Sequence, residues 1–125
     1  MRLLLIEPSV LLRERLVAML ADLGCAEVIE ATSIEEASQL IMALRPEIVV
    51  ADAGLPDRRS LDALAWARAK CPAAWLVVVS THAAEAYRKR WLQAGADEFF
   101  DLSAQVDGLA KRVRQCCRTR FCSPL

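Results

Sequence analysis

An α/β protein with a doubly wound, five-stranded parallel sheet is expected from three features of the chain. Short strand candidates recur five times, at Leu3 to Ile6, Ala26 to Ala31, Ile48 to Ala51, Trp75 to Val79 and Asp97 to Phe100, three of them continuous apolar runs. Each is too short for a helix, and those rich in Val and Ile suit strands buried on both faces. Between them, apolar residues return at helical spacing, so strand and helix alternate. That alternation implies a parallel sheet with right-handed crossovers and helices on both sides.

The first strand ends at Glu7, where Pro8 breaks it and Ser9 can cap a helix. Leu12, Leu16, Met19, Leu20 and Leu23 form the inner stripe of that helix, with Glu14 and Arg15 outside and Gly24 as its stop. Val28 and Ile29 centre the second strand. Ser33 followed by Glu36 forms a capping box for the second helix, whose inner residues are Ala37, Leu40, Ile41 and Leu44. Arg45-Pro46 ends it, because a residue before proline resists helical geometry.

Ile48 to Ala51 then runs into Asp52, and Gly54 and Pro56 force a loop that extends to Asp57. Leu61, Leu64, Ala65 and Arg68 repeat at helical spacing until Cys71-Pro72. The fourth strand ends at Ser80-Thr81, with Ser80 also able to cap the helix over Ala83 to Ala94, closed by Gly95. After the fifth strand, Ser103 is expected to cap a last helix with Val106, Leu109, Ala110, Val113 and Cys117 inward. One domain over residues 1–118 and a frayed tail over 119–125 are expected, Pro124 and lost periodicity marking the tail.

Bulk properties narrow the functional classes. A chain of 125 residues that is 55% hydrophobic forms a compact domain rather than a disordered segment. Sixteen basic and sixteen acidic residues cancel, which gives no global pull toward nucleic acid or membrane. The basic cluster Lys111, Arg112, Arg114, Arg118 and Arg120 suits a solvated helix end. No apolar run is long enough to span a bilayer, and the run before Glu7 is too short for a signal peptide, so a cytoplasmic location is expected. Five cysteines (Cys25, Cys71, Cys116, Cys117 and Cys122) lack a CxxC spacing, and His82 is the lone histidine. Zinc binding and catalysis by His82 are therefore disfavoured, and reduced thiols are expected. Neither GxGxxG nor GxxxxGK[ST] occurs, which disfavours a nucleotide-binding fold.

All strand C-termini lie along one edge, which gathers Glu7, Asp52, Ser80 and the segment after Phe100. A carboxylate at the end of a central parallel strand sits where open α/β sheets place their sites. The stretches Pro46 to Asp57, Val78 to Thr81 and Ala94 to Asp97, in this order over five βα units, resemble the response-regulator receiver domain of two-component signalling, the CheY-like module with a flavodoxin-like (βα)5 fold. The resemblance covers residues 2 to about 117. It implies that Asp52 is the phosphoacceptor, that Ser80 is the switch hydroxyl and that Phe99 is the aromatic coupled to it, without a phenol. It also implies an Mg²⁺ site built from Glu7, Asp52 and the backbone carbonyl of Gly54.

Two parts of the family pattern are missing. The second acidic metal ligand falls on Pro8, which has no side-chain oxygen, and the lysine expected after the fifth strand is Leu102. A carboxylate attacking an already anionic phosphoryl group relies on a metal ion and a cation to offset charge. The expected function is thus a receiver-like module of a phosphorelay that acts by protein–protein interaction, with weak Mg²⁺ binding and impaired phosphorylation. The alternative is an atypical receiver phosphorylated on Asp52 by a histidine kinase. No enzymatic activity is expected beyond self-phosphorylation and dephosphorylation at Asp52. A hydrolase using Asp52 lacks a partner acid, since Ala53 and Gly54 follow it.

The partners implied are a histidine kinase, a phosphotransfer protein or another signalling protein. A homodimer is also implied, through the mixed charges of the fourth helix, fifth strand and fifth helix. Direct contact with nucleic acid or membrane is not expected. Trp91 reads as a core filler ahead of an exposed interface anchor.

Overall fold

The computed structural model describes residues 1–24, 26–54, 59–81 and 85–121. Strands and helices alternate: β1 (Arg2–Ile6), α1 (Val10–Ala21), β2 (Glu27–Ala31), α2 (Ile34–Leu44), β3 (Ile48–Asp52), α3 (Arg59–Lys70), β4 (Trp75–Ser80), α4 (Glu85–Gln93), β5 (Glu98–Asp101) and α5 (Val106–Phe121). All pairings are parallel, and the sheet order is β2-β1-β3-β4-β5. The order reverses between β1 and β3, so the crevice beyond their C-terminal ends is the position at which such sheets bind ligands.

Side chains alternate across the sheet and divide the core into two layers. Leu4, Ile6, Val49, Ala51, Leu76, Val78 and Phe99 face a layer closed by α2, α3 and α4. Leu3, Leu5, Ile48, Val50, Val77, Val79 and Phe100 face the layer closed by α1 and α5. Burial on both faces is the reason these strands are apolar throughout rather than alternating. Trp91 is 6% exposed and lies in the first layer, as a core filler does. Gly108 faces Phe100, and a Cβ there would stand 3.4 Å from the ring, in van der Waals contact.

Most caps follow the sequence. The Ser9 hydroxyl accepts from Leu12 N–H, and the Ser33 hydroxyl accepts from Glu36 N–H while Thr32 N–H donates to the Glu36 carboxylate. Each such cap contributes about 1 kcal/mol. Arg45 leaves the helical region altogether, with φ 48°.

Several local expectations are corrected. Ser103 does not cap α5; its N–H and hydroxyl both donate to Asp101 Oδ1, while Asp101 N–H donates to the Gln105 side chain. That double turn delays the helix to Val106. On α3 the buried residues are Ala63, Leu64 and Ala67, and Ala65 is exposed. β5 begins at Glu98 rather than Asp97, because the Asp97 carboxylate turns back to accept from Arg68 and from Leu76 N–H. α5 continues through Phe121, past the expected boundary at 118, since no helix breaker precedes Pro124. Cys71 and Cys116 are free, but Cys117 is disulfide-bonded. The expectation of reduced thiols therefore fails at Cys117; spacing along a chain does not report which sulfurs meet in space. His82, Cys25, Cys122 and the Leu55–Asp57 part of the loop after Asp52 also lie outside the described residues.

Arg68 ties the edge of the sheet opposite the strand C-termini. Its guanidinium donates to the carbonyls of Pro72, Ala74 and Gly95 and pairs with Asp97 at 2.7 Å. A single side chain thus joins α3 to the entries of β4 and β5, satisfying carbonyls that the turns leave open.

Candidate phosphoacceptor site

Asp52 is the last residue of β3, and Glu7 follows the last residue of β1, next to it in the sheet. Backbone bonds hold both positions: Glu7 N–H donates to Ala31 at 3.0 Å, and Ala53 N–H donates to Val79 at 2.9 Å. Gly54 N–H donates to Asp52 Oδ1 at 2.6 Å. A Cβ on Gly54 would stand 3.1 Å from the same oxygen, so this tight turn favours glycine.

Glu7 is 1% exposed, whereas Asp52 is half-buried. Glu7 Oε2 accepts from Ser9 N–H at 3.2 Å, and Oε1 is buried with no hydrogen-bond donor among the described residues. The Glu7 carboxyl lies within hydrogen-bonding reach of Asp52. Two carboxyls in contact are satisfied only when a proton sits between them. Burial, then the Asp52 hydrogen bond and the Asp52 charge, push the Glu7 carboxyl up to about 8, while Ser9 N–H and Arg13 oppose the shift. At neutral pH the Glu7 carboxyl therefore favours its protonated form.

The other half of the rim carries the Ser80 hydroxyl, hydrocarbon at Phe99 and Leu102, and an Asp101 carboxylate engaged by Ser103. Ser80 ends β4, 9% exposed, one residue beyond the strand partner of Asp52, and its carbonyl accepts from Leu102 N–H at 2.8 Å. Phe99 is buried below the rim, opposite Val78 in the register. Leu102 packs against the layer formed by α1 and α5. The backbone reaches the expected lysine position, but the side chain there is a hydrocarbon.

The structure thus brings Glu7, Asp52 and the turn at Gly54 together, sets Ser80 beside them and keeps Phe99 beneath. Pro8 is exposed and offers no ligand. Arg13 is a participant that residue spacing did not single out. It donates to the Glu7 carbonyl at 3.0 Å and pairs with Glu30 at 3.3 Å, tying α1 to the ends of β1 and β2. Its position one turn into α1, four residues after the cap Ser9, was the available signal.

The donor set bears on metal binding. No group of three or more acidic, histidine or cysteine side chains meets among the described residues. Two carboxyls and a turn carbonyl still offer oxygen donors, and the buried, donorless Glu7 Oε1 suits a cation in place of the shared proton. Mg²⁺ commonly completes its shell with water, so these residues fit a hydrated ion held by fewer carboxylates than usual.

Residues 3–114 match the family model described as the response regulator receiver domain, so the chain belongs to that family. It is similar to the transcriptional regulatory protein PhoP of Escherichia coli O157:H7, with 26% identity over 94% of this chain and 52% of that protein. It is also similar to the uncharacterized transcriptional regulatory protein YvfU of Bacillus subtilis (strain 168), with 27% identity over 71% of this chain and 44% of that protein. The chain therefore spans about half the length of these relatives. Among solved structures, a CheY-like receiver domain from Methanospirillum hungatei JF-1 superposes with a TM-score of 0.82 at 20% identity, covering 98% of both chains. The chain is a receiver domain of two-component response regulators. Receiver domains typically bind Mg²⁺ and interact with histidine kinases and phosphotransfer proteins. No helix among the described residues is long and apolar enough to cross a membrane.

Proposed function

We propose that this receiver acts in the cytoplasm mainly as a protein-interaction module, with Asp52 as a phosphoacceptor whose Mg²⁺-dependent phosphorylation is impaired. The observation that carries this reading is Leu102, packed against apolar side chains where the family places a cation. Without that charge, an incoming phosphoryl group meets the Glu7–Asp52 pair with little to offset its negative charge. Glu7, Asp52 and the Gly54 carbonyl form a weak Mg²⁺ site, Pro8 supplying nothing. Ser80 is the switch hydroxyl, and Phe99 is its apolar neighbour.

Incubation with Mg²⁺ and acetyl phosphate, followed by intact-mass measurement, tests the reading. Little gain is expected. A full gain of one phosphoryl group that disappears in Asp52→Asn would establish the second reading, an atypical receiver phosphorylated by a histidine kinase. The donorless Glu7 Oε1 favours that second reading, because it leaves one carboxyl oxygen open to a metal ion.

On the proposed partner surface of α4, β5 and α5, two acidic side chains are already engaged. Asp97 is paired with Arg68, and Glu98 with Arg112. A homodimer through this face would bring basic helices together; sedimentation velocity over a range of salt concentrations tests it.

A further inference from the structure

We propose that the end of the sheet opposite Asp52 contains a second binding site, for a small organic carboxylate with an apolar body. A cavity of about 210 Å³ opens between the α2–β3 and α3–β4 connections. Its apolar floor is made by Pro46, Cys71 and Ala74, all buried, and its rim carries Arg45, Lys70 and Glu47. The volume is below that of drug-sized pockets, which suits a short-chain acid.

Three observations set the charge preference. Arg45 adopts φ 48° and ψ 65°, a left-handed conformation that glycine or asparagine takes at a helix end with less strain. In that conformation its guanidinium spans the two connections and donates to the Lys70 carbonyl at 2.8 Å. Next, several carbonyls at and just after the end of α3, which would repel an anion, are already engaged. Ala67 accepts from Cys71 N–H, Lys70 from Arg45, and Pro72 and Ala74 from Arg68. Finally, the Glu47 carboxylate is occupied by Arg2 N–H at 2.6 Å, whereas the Lys70 ammonium has no partner among the described residues. Arg45 keeps further N–H donors in a fork that matches a carboxylate. A hydrocarbon tail would lie over Pro46, Cys71 and Ala74.

The Cys71 thiol in the floor reports occupancy, and Cys116, free and half-buried on α5, is an internal reference. Iodoacetamide labelling of the full chain, read by peptide mass spectrometry, should show hexanoate slowing Cys71 several-fold and leaving Cys116 unchanged. Hexanol and hexylamine at equal concentration should protect far less. Arg45→Gly, which accepts the backbone conformation without strain, should abolish the protection; Lys70→Gln serves the same end if that variant misfolds. If Cys71 reacts too slowly to compare, the amide NMR shifts of Ala73 and Ala74 replace it as the readout. Absence of any hexanoate effect overturns the site. So does equal protection by hexanol, protection that survives Arg45→Gly or Lys70→Gln, or parallel slowing at Cys116. None of these outcomes depends on whether Asp52 is phosphorylated.

Discussion

The two halves of one sheet edge have been built differently. Where β1 and β3 end, Glu7 and Asp52 meet as carboxyls, one of them fully buried. Where β4 and β5 end, Ser80 keeps its hydroxyl but Phe99 and Leu102 present hydrocarbon. The acidic half survives without the cationic half that phosphoryl transfer uses. Burial first, and then the Asp52 carboxyl beside it, accounts for the raised Glu7 carboxyl.

Restoring the missing half tests the contrast most strongly. Pro8→Asp combined with Leu102→Lys is expected to raise the rate of phosphorylation by acetyl phosphate by roughly 100-fold or more, the scale of a removed electrostatic contact in catalysis. Intact-mass time courses at fixed Mg²⁺ measure it. A double variant no faster than the parent would mean that the two substitutions are not what limits the site.

The shared proton predicts a pH dependence. Glu7 is raised from 4.5 to about 8, so the folded state holds a proton that the unfolded chain releases. Its contribution is complete below about pH 4.5 and is lost as pH rises through about 8. Urea unfolding should therefore show stability falling by a few kcal/mol across that window, on the scale of about 1.4 kcal/mol per pKa unit. Glu7→Gln keeps an N–H donor toward Asp52 and should flatten the profile. An unchanged slope in that variant would remove the buried acid pair from the account.

Away from the rim, Arg68→Ala should cost about 2–3 kcal/mol, because three carbonyls and Asp97 lose their donor together. Chemical denaturation measures it, and a loss below about 0.5 kcal/mol would place Arg68 among ordinary surface ion pairs. The smallest effect is expected from Leu102→Lys alone. Leu102 is half-buried, and its replacement should cost about 1 kcal/mol as apolar packing is lost while the ammonium reaches water. A much larger cost would show that Leu102 is held by the core rather than by freedom at the rim.

How far residue order reaches can be seen from particular positions. The five strands, the capping box at Ser33, the break at Arg45-Pro46 and the place of Asp52 are all legible, because periodicity, caps and proline act within a few residues. Pro8 and Leu102 are legible as losses for the same reason: a missing side-chain oxygen or ammonium is a fact of composition at one position. The start of α5 lies beyond the reach of cap signals, since Asp101, Ser103 and Gln105 satisfy one another across the turn rather than cap the helix. The Arg68 clamp and the cavity beside Arg45 join segments far apart in the chain, so spacing carries no trace of them. Residue order places Glu7 at a strand end and leaves it an ordinary carboxyl. Only the packing of β1 against β3 buries it beside Asp52, and desolvation together with a like charge raises its carboxyl.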